Sequence, residues 1–525
     1  MTMDLKIKEI AWAAGGRLVL RRGEEGDTCV TAVVIDSRKA QAGCVFLATV
    51  GERVDGHRFI GDVFAKGAAL VITQKTPEQV EAEHGVRASG WGSYLLVEDT
   101  LQALRSIAEY YRRKLPVKVV GITGSVGKTS TKEFIAGVLA QKYRVLKTEG
   151  NFNNEIGVPL TLLRIRQEHE VAVVEMGISD FGEMHRLSRM ARPDICVMTN
   201  IGQSHLEKLK DRDGILRAKS EIFDFMAEDG EICLNGGDDK LSGLADIKGH
   251  VPHFFGLGEN PREEASALEI QGKGLWGSDA TLVFRALAGS ADGQENLAGS
   301  ADGQENLVGG ADGQENLVGS ADGQEDLAGG AESRIRVHIP LPGVHMVRNA
   351  AAAACVGRLL GLTPEEIAAG IRDVAPVSGR NRLVRLDRYT LIDDCYNANP
   401  ASMRAAIDLL SMADTEKVAV LGDMFELGED SHRLHAQVGE YAARAGLGML
   451  FCVGEESRHM YEAAVKAGGI GEVRYFPTRQ ELLEALGQPG NEFPEGCTVL
   501  VKASHGMEFP GVVELLSQKG GTELS

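Results

Sequence analysis

The residues best suited to do chemistry lie in the segment GITGSVGKTSTKEF, residues 121–134. The segment follows the apolar run VKVV and leads into a helical pattern, so a strand is expected to turn directly into a helix. Backbone N–H groups of a Gly-rich turn and of a helix N-terminus bind phosphate. Lys128 can reach the β- and γ-phosphates of a nucleotide, and the hydroxyl of Thr129 can bind Mg²⁺. A strict nucleotide-binding loop would have a glycine where Ile122 stands, whereas Gly121 lies one residue earlier. The predicted phosphate-binding residues are Gly124, Ser125, Val126, Gly127, Lys128, Thr129 and Ser130.

Three further polar residues sit where a metal or phosphate site would need them. Glu175 ends the apolar run VAVVEMG, and the carboxyl end of a parallel strand faces the ligand crevice. The alternative for Glu175 is a helix-capping or surface glutamate. His205 follows another strand end, although an isolated histidine is more often structural. Lys219 lies inside the helical segment RAKSEIF, and its spacing alone favours a solvated helix face.

The last third of the chain places polar residues after two successive apolar runs. The segments are LIDDCYNANP and LGDMFELG. Either segment alone is as readily a turn, because Asp, Asn and Gly favour turns. Two such segments in succession at strand ends favour a binding cleft for a polar substrate.

The order of apolar runs predicts an α/β fold with three domains, since 525 residues are too many for a single core. Residues 1–112 form a small α/β domain. Residues 113–378 form the central domain, in which a parallel sheet with helices on both faces carries the phosphate-binding loop. Residues 379–525 alternate in the same way. The strand candidates of the second and third domains are residues 117–123, 171–177, 194–200, 231–235, 389–396, 418–424, 449–454, 472–476 and 498–504.

The composition is that of a globular protein and excludes several other classes. No stretch approaches the roughly 18 unbroken apolar residues of a membrane span. The N-terminus does not resemble a signal peptide. The eight cysteines form no Cys-x-x-Cys pair, so we expect reduced core thiols in a cytoplasmic protein rather than a zinc site. The net charge of −19 argues against a general nucleic-acid binder.

Residues 291–326 are a tandem repeat with a period of ten, ADGQENL or ADGQEDL. The repeat contains nine acidic residues and no basic ones, and without it the net charge would be −10. Each unit has too few apolar residues to offset the entropy of ordering it, so a disordered insert over about residues 288–330 is predicted. Calcium binding is the alternative, but Gly-Gly-x-Gly spacing is missing. The flanks, residues 280–287 and 333–341, alternate as strands do and predict a hairpin with the repeat at its tip.

Short motifs over nearly the whole chain, apart from the repeat, resemble those of a known family. They are DSRKAQAGCVFLATVGERVDGHRFI, GSVGKTS, TEGNFNNEIGVPLTLL, EMG, TNIGQSHLE, AKSEIF, DDCYNANP and LGDMFELG. In this order they are similar to the motifs of the Mur ligases. The last two match the branch of the family that adds a D-alanyl-D-alanine dipeptide. Relatives that add the third peptide residue carry a Tyr-Ala-His type sequence where this chain has Tyr396 to Asn399.

The resemblance implies a metal site. Thr129, Glu175 and His205 would be magnesium ligands. Lys219 matches a lysine that Mur ligases carry as a carbamate, whose negative charge would position a second Mg²⁺. The residues that the resemblance assigns to the catalytic step are Lys128, Lys219, His205 and Asn397.

It also implies ligand-binding residues. Asn349 matches the residue beside adenine, and Arg380 matches an arginine that reaches the nucleotide phosphates across a domain junction. The residues implied to bind the other substrates are Ser37 and Arg38 for the uridine nucleotide, Asn151 and Asn154 near the uridine-linked substrate, and Asn397, Asn399 and Asp423 for the dipeptide. Two positions depart from the family pattern: Met346 follows His345 where an asparagine is frequent, and His505 stands where an arginine is common.

The activity implied by the resemblance is the ATP-dependent joining of D-alanyl-D-alanine to UDP-N-acetylmuramoyl-tripeptide, with two Mg²⁺ ions and an acyl-phosphate intermediate. The enzyme would be a cytoplasmic monomer with a Rossmann-like third domain, and its three domains would close around linkers near residues 112 and 378. Alternatives are a different amide ligase, such as the one adding the third peptide residue or a folylpolyglutamate synthetase, and a P-loop regulatory or transport ATPase. The third residue of the tripeptide, lysine or diaminopimelate, stays open.

Overall fold

The computed structural model describes residues 3–524 except residues 24, 52–53, 286–331, 377–378 and 489–492. Within these ranges the strands form three sheets that follow one another along the chain, each with helices packed against it. This arrangement confirms the predicted α/β class. None of the helices that are described is long and apolar enough to cross a membrane.

The first sheet has the strand order β1-β5-β4-β3-β2. Its strands are β1 (Arg17–Val19), β2 (Val33–Val34), β3 (Val45–Leu47), β4 (Leu70–Thr73) and β5 (Tyr94–Leu96). The helices around it are α1 (Ile7–Ala14), α2 (Ile60–Ala65), α3 (Pro77–His84) and α4 (Thr100–Lys114). Strands β2 to β5 are parallel, and the edge strand β1 is antiparallel to β5.

Helix α4 connects the first sheet to the second and runs two residues beyond the predicted domain boundary at residue 112. The side chain of Asp99 caps its start by accepting hydrogen bonds from the N–H groups of Leu101 and Gln102. Near its end Arg112 is buried, donates to the carbonyl of Ala191 at 2.9 Å and pairs with Asp194 at 3.1 Å. The division into domains at residues 112 and 378 stays a prediction.

The central sheet has the order β14-β13-β12-β11-β10-β9-β6-β8-β7. Its strands are β6 (Lys118–Thr123), β7 (Val145–Lys147), β8 (Val171–Glu175), β9 (Ile195–Met198), β10 (Glu231–Asn235), β11 (His253–Gly256), β12 (Glu263–Gly272), β13 (Ser278–Phe284) and β14 (Ser333–Ile339). Its helices are α5 (Lys128–Leu139), α6 (Gly157–Leu162), α7 (Glu183–Ala191), α8 (Leu206–Leu209), α9 (Arg212–Ser220), α10 (Val344–Leu359) and α11 (Pro364–Arg372).

Both faces of the central sheet are buried, as predicted. Along β8, Val171 and Val173 join one hydrophobic core, while Ala172 and Val174 join the core on the opposite face. The parallel sheet predicted from the alternation over residues 113–250 is confirmed there, since β6 to β10 pair in parallel. Farther along the chain, β13 is antiparallel to both β12 and β14. The short turn between β12 and β13 explains this, since only antiparallel neighbours can be joined by so few residues.

The third sheet has the order β15-β16-β20-β17-β18-β19. Its strands are β15 (Arg382–Arg385), β16 (Thr390–Asp393), β17 (Lys417–Gly422), β18 (Met449–Val453), β19 (Glu472–Phe476) and β20 (Thr498–Lys502). Its helices are α12 (Pro400–Ser411), α13 (Ser431–Ala443), α14 (Ser457–Ala467), α15 (Arg479–Gly487) and α16 (Pro510–Gly520). Strands β16 to β20 are parallel and β15 is antiparallel, so the alternation predicted for residues 379–525 is confirmed.

The turn between β12 and β13 joins the central sheet to the third one. Leu275 is buried in the hydrophobic core beside the third sheet. The guanidinium of Arg385 lies 3.7 Å from the centre of the Trp276 ring, a cation–π contact. This contact is made by the turn that follows β12, a strand that was not among those predicted from the sequence.

The predicted hairpin around the repeat is confirmed on its described side. Strands β13 and β14 pair from Ser278–Ile339 to Phe284–Ser333. The repeat itself lies outside the described residues, so its predicted disorder stays a prediction.

His253 on β11 is a buried titratable group of the central sheet. Its Nδ1 lies 2.6 Å from the carboxylate of Glu264, and its Nε2 lies 3.0 Å from that of Glu231. Burial by itself would lower the pKa of His253, but the bonds to the two carboxylates outweigh burial and raise the pKa to about 10. The imidazolium therefore holds two strands, β10 and β12, to β11.

We expect His253→Gln to destabilise the protein in a pH-dependent way. Because the folded pKa lies above the usual value of about 6.5, the stabilisation is complete below that value and is lost as pH rises through about 10. Urea unfolding should show the variant weaker by on the order of a few kcal/mol at pH 6, with the gap closing toward pH 10. His338→Gln, at an exposed histidine on β14, is the control. A gap that stays constant over this pH range would contradict the assignment.

We expect deletion of residues 291–326 to leave the fold and the activity almost unchanged. The pairing of β13 with β14 is complete without the repeat, and the residues left on either side are enough to close the hairpin. Thermal unfolding should shift by less than about 2 °C. Val337→Asp, which puts a charge into the buried face of β14, should in contrast destabilise strongly. A marked loss of kcat in the deletion variant would show that the repeat has a role in turnover.

Candidate active site

The phosphate-binding loop lies between β6 and α5, where the sequence predicts it. Gly124 has a φ of 147°, and a Cβ there would meet the Thr199 hydroxyl at 2.0 Å, so the close approach to β9 requires glycine. Gly127 caps α5 with a φ of 86°. The ammonium of Lys128 donates to the carbonyl of Gly124 at 2.8 Å, which folds the lysine back over the loop.

The end of β9 holds this loop in place. Asn200 accepts a hydrogen bond from the N–H of Val126 through its side chain at 2.9 Å and from that of Ser125 through its carbonyl at 3.1 Å. The hydroxyl of Thr199 donates to the carbonyl of Val126 at 2.7 Å. These bonds fix the loop through groups of the protein itself.

Glu175 at the end of β8 is the carboxylate of the site. It is 1% exposed, which excludes the surface alternative. One carboxylate oxygen accepts from the Thr129 hydroxyl at 2.8 Å and the other from the side-chain amide of Asn153 at 2.8 Å, while Lys132 Nζ lies 3.9 Å away. Hydroxyl and carboxylate oxygens are the ligands that Mg²⁺ prefers, so this donor set fits that ion.

Lys219 at the end of α9 is also 1% exposed, so the solvated helix face predicted from its spacing was wrong. Within the described ranges no carboxylate lies at ion-pair distance from its ammonium. Burial and the nearby positive charge of Lys128 lower the pKa of Lys219 well below its usual value. The charged form of this side chain is therefore disfavoured relative to that of an exposed lysine.

His205 lies just before α8 with a φ of 55°, at the contact with the C-terminal domain. Its Nδ1 is 2.5 Å from a carboxylate oxygen of Glu426, which follows β17. The bond to His205 lowers the pKa of Glu426. This contact joins the central and C-terminal domains at the active-site cavity.

The C-terminal domain contributes a buried ion pair at the ends of β16 and β20. Lys502 donates to the carboxylate of Asp394 at 2.6 Å and to the carbonyl of Asn397 at 2.9 Å. Burial raises the pKa of Asp394, although Lys502 opposes this shift. The pair fixes the backbone of the segment 394–399, in which Asn397 and Asn399 lie. Asn399 caps α12, because its side-chain oxygen accepts from the N–H of Ser402 at 2.9 Å.

The nucleotide-facing candidates lie around the same loop. Asn349 on α10 is buried beneath it and accepts from the Thr131 hydroxyl at 3.1 Å. Arg380 stacks over the ring of Tyr396 at 4.1 Å. Beside it Asn381 approaches His345 at 3.1 Å, and burial together with the charge of Lys502 lowers the pKa of His345 to about 4.

One cavity of about 720 Å³ connects these groups. Its lining reaches Leu101 and Arg105 of α4 at one side and Glu426 of the C-terminal domain at another. The predicted site residues that line it are Ser125, Val126, Gly127, Lys128, Thr129, Ser130, Asn151, Asn154, Glu175, His205, Arg380, Asn397 and Asn399. Gly124, Asn349 and Lys219 are not part of the lining, but they adjoin it through Lys128 or its loop.

Three predicted residues lie away from this cavity. Ser37 and Arg38 form a turn of the first domain, where Arg38 pairs with Asp36 at 2.8 Å. The next residue, Lys39, lies 6.0 Å from the ring of Phe152, so this turn faces the segment that carries Asn151 and Asn154.

Asp423 is the third of these. Its carboxylate accepts from the N–H and the hydroxyl of Ser457 at 2.7 and 2.6 Å, which fixes the start of α14. The structure thus gives Asp423 a helix-capping contact in place of a position in the cavity.

Sequence reasoning did not single out several residues of the site. Asn153 bonds Glu175, Asn200 orders the phosphate-binding loop, and Lys502 pairs with Asp394. Asn153 and Asn200 lie inside motifs quoted above, so their amide side chains next to predicted ligands were the available signal. Lys502 ends a buried strand, and a lysine there indicates a buried partner.

Three family models match the chain, each over a different part of it. They are "Mur ligase family, catalytic domain" at residues 30–112, "Mur ligase middle domain" at residues 122–276 and "Mur ligase, glutamate ligase domain" at residues 379–505.

Relatives match over nearly the full length. The chain is 33% identical to the UDP-N-acetylmuramoyl-tripeptide--D-alanyl-D-alanine ligase of Bacillus subtilis, over 97% of each protein. A crystal structure of MurF from Acinetobacter baumannii has a TM-score of 0.77 at 28% identity and covers 98% of this chain and 99% of that one. MurF ligase from Thermotoga maritima in complex with ADP has a TM-score of 0.70 at 25% identity and covers 93% and 97%. The chain therefore belongs to the Mur ligase family.

Proposed function

We propose that this protein joins D-alanyl-D-alanine to UDP-N-acetylmuramoyl-tripeptide with hydrolysis of ATP to ADP and phosphate, which forms the pentapeptide precursor of peptidoglycan. The name of the Bacillus subtilis relative and the ADP in the Thermotoga maritima structure support this activity. The observation that carries the proposal is the single cavity lined by the phosphate-binding loop, Glu175 and the asparagines of the C-terminal domain. It brings a nucleotide site and a polar acceptor site within reach of one acyl group.

The proposed reaction gives the tripeptide carboxylate a better leaving group. A carboxylate cannot release oxide, so the terminal carboxylate of the tripeptide first takes the γ-phosphoryl group of ATP and becomes an acyl phosphate. The amine of the dipeptide then attacks the acyl carbon, phosphate leaves, and an amide bond forms. Lys128 and the N–H groups of the loop between β6 and α5 offset the negative charge that builds up during phosphoryl transfer.

The residues that would hold magnesium are Thr129, Glu175, His205 and the carbamate form of Lys219. When bound, Mg²⁺ neutralises phosphate charge and helps to orient the transferring group. A lowered pKa favours the neutral amine of Lys219, which is the form that adds to CO₂ and releases a proton as the carbamate forms. The carbamate would supply negative charge beside Lys128, where none of the described residues has a carboxylate at ion-pair distance from Lys219.

The remaining residues would bind the three substrates. Asn349 and Arg380 would lie at the adenine and the phosphates of ATP. Ser37 and Arg38 would bind the uridine nucleotide, and Asn151 and Asn154 would lie along the linked peptide. Contact between Lys39 and Phe152 supports a path from the first domain into the cavity.

The dipeptide would be held by Asn397 and Asn399. Both line the cavity and follow the strand that Lys502 and Asp394 fix. Asp423 would act on this site indirectly, by fixing α14, since its carboxylate is engaged by Ser457.

Domain closure would keep water from the acyl phosphate, which would otherwise hydrolyse. We expect the protein to act as a monomer. We expect it to work in the cytoplasm, and the boundaries near residues 112 and 378 would be the hinges.

Two alternative functions make different predictions. A ligase that adds the third peptide residue would accept a dipeptide-linked substrate and an amino acid. A P-loop regulatory ATPase would release ADP without either small substrate.

We expect ADP release to require both UDP-N-acetylmuramoyl-tripeptide and D-alanyl-D-alanine, because the acyl phosphate needs an acceptor before the enzyme can turn over. Product mass after incubation with lysine- or diaminopimelate-containing tripeptide identifies the preferred substrate. Oxygen isotope in the tripeptide carboxylate should pass into the released phosphate, and hydroxylamine should yield a hydroxamate. ADP release that is independent of both substrates would favour the regulatory ATPase instead.

We expect Lys219→Ala to reduce kcat by several orders of magnitude, since charge-bearing groups at phosphoryl transfer sites typically contribute at least about 100-fold. Bicarbonate should not restore the variant, whereas a short carboxylic acid should restore part of the activity. Carbon NMR of the wild-type protein in labelled bicarbonate should show a carbamate that the variant lacks. The control is Arg217→Ala, which removes an exposed cation from the same helix. Near-normal activity of Lys219→Ala would remove the residue from the proposed site.

A further inference from the structure

The turn after β17 comprises residues 423–426, and each of its first three residues makes a hydrogen bond to a side chain or backbone group of another element. The carboxylate of Asp423 binds Ser457. The N–H of Met424 donates to Nε2 of His435 at 2.9 Å, and the N–H of Phe425 donates to the hydroxyl of Ser504 at 2.9 Å. A turn held by side chains from three other elements can present its last residue, Glu426, in one defined direction.

His435 is a buried group that the proposed mechanism does not use. It is completely buried on α13, and its Nδ1 lies 2.8 Å from the carbonyl of Ser431. Since a carbonyl can only accept, the proton must be on Nδ1, which leaves Nε2 as the acceptor for Met424. Burial lowers the pKa of His435, which agrees with this neutral form. His435 is thus a fixed support for the turn.

Glu426 itself has a φ of 60°, in the left-handed region that residues other than glycine seldom occupy. Backbone strain of this kind persists where surrounding contacts impose it, and it concentrates at functional sites. Here the strained residue lines the active-site cavity and reaches across the domain contact to His205.

The geometry of this contact determines which ring nitrogen faces the cavity. Nδ1 of His205 is buried and lies 2.5 Å from the carboxylate of Glu426, although the ring is not aligned for a linear hydrogen bond. With Nδ1 turned toward Glu426, Nε2 is the nitrogen that remains for a ligand. A histidine that binds a metal almost always donates its other ring N–H to a carboxylate, a backbone carbonyl or water, and this bond fixes the ring orientation.

We propose that Glu426 is a positioning residue that orients the imidazole of His205 only when the C-terminal domain is docked on the central domain. The proposal rests on the proposed function, because it gives His205 its part in the phosphoryl-transfer site. In this proposal the C-terminal domain, which would bind the dipeptide, completes the site at which the tripeptide carboxylate is phosphorylated. Docking of the C-terminal domain and readiness for phosphoryl transfer are then one event.

The test uses the full chain and the variants Glu426→Ala, Glu426→Gln and Glu429→Ala. Glu429 lies three residues farther along on an exposed turn, so Glu429→Ala removes the same charge without the contact to His205. We expect Glu426→Ala to lower kcat about 10- to 100-fold with little change in KM for the uridine-linked substrate. Glu426→Gln should keep much of the activity, because its amide oxygen can still accept from Nδ1. Glu429→Ala should behave as wild type.

A second readout does not depend on turnover. Binding of Mn²⁺ to the protein with ADP, followed by electron paramagnetic resonance, should weaken about 10-fold in Glu426→Ala and stay unchanged in Glu429→Ala. His435→Ala is a further variant. The double variant Glu426→Ala/His435→Ala should lose no more Mn²⁺ affinity than whichever single variant loses more, since both residues act through the same turn. Equal kcat and equal Mn²⁺ affinity in Glu426→Ala and Glu429→Ala would overturn the proposal. Absence of dipeptide-dependent turnover in the wild type would instead overturn the proposed function, while the Mn²⁺ measurement would still report on Glu426.

Discussion

The constraint that dominates this structure is the balance of buried charge at the carboxyl ends of β6, β8 and β9. One carboxylate, Glu175, and two lysines, Lys132 and Lys219, are almost fully removed from water there, and Lys128 lies over the loop beside them. A buried charge without a partner is costly, so such a site is stable only if each group is paired, neutral or modified. Glu175 is satisfied by hydrogen bonds, and Lys132 is paired with Glu133 at 3.0 Å. Burial beside Lys128 lowers the pKa of Lys219 well below its usual value. The positive charge of Lys128 is what a bound polyphosphate would balance.

The sheets explain why this balance can be met at one place. Parallel strands bring the ends of β6, β8 and β9 to the same edge, so residues distant in sequence become neighbours. The antiparallel edge of the same sheet contacts the C-terminal domain. Leu275 and Trp276, in the turn between β12 and β13, pack against that domain. The central domain thus offers the nucleotide site along one edge and a docking contact along another. The contact between His205 and Glu426 then connects docking to the site itself.

The parts of the site that could be predicted from the sequence were those whose chemistry is local. A strand, a Gly-rich turn and a helix are contiguous, so the phosphate-binding loop was predicted at its observed position. Lys219 was placed wrongly by spacing alone, because the helical pattern does not reveal that the polar face of a short helix such as α9 lies against another part of the chain. Of the antiparallel strands, β13 and β14 were predicted as a hairpin, whereas β12 was not predicted. The hydrogen bonds of Asp423 depend on Ser457, 34 residues away, and no local pattern encodes such a distance.

The asparagines of the cavity show how one side chain can serve both structure and substrate. The side-chain oxygens of Asn154, Asn397 and Asn399 each accept from a nearby backbone N–H, of Gly157, Ala398 and Ser402. A backbone N–H can only donate, so the oxygen of each amide is assigned and its NH₂ group remains a donor. Aspartate would cap these turns equally well. It would, however, present only acceptors and a negative charge to a cavity that must hold phosphates and carboxylates. An asparagine at these positions therefore keeps the cap and adds a donor in place of a further negative charge, which would suit an anionic ligand.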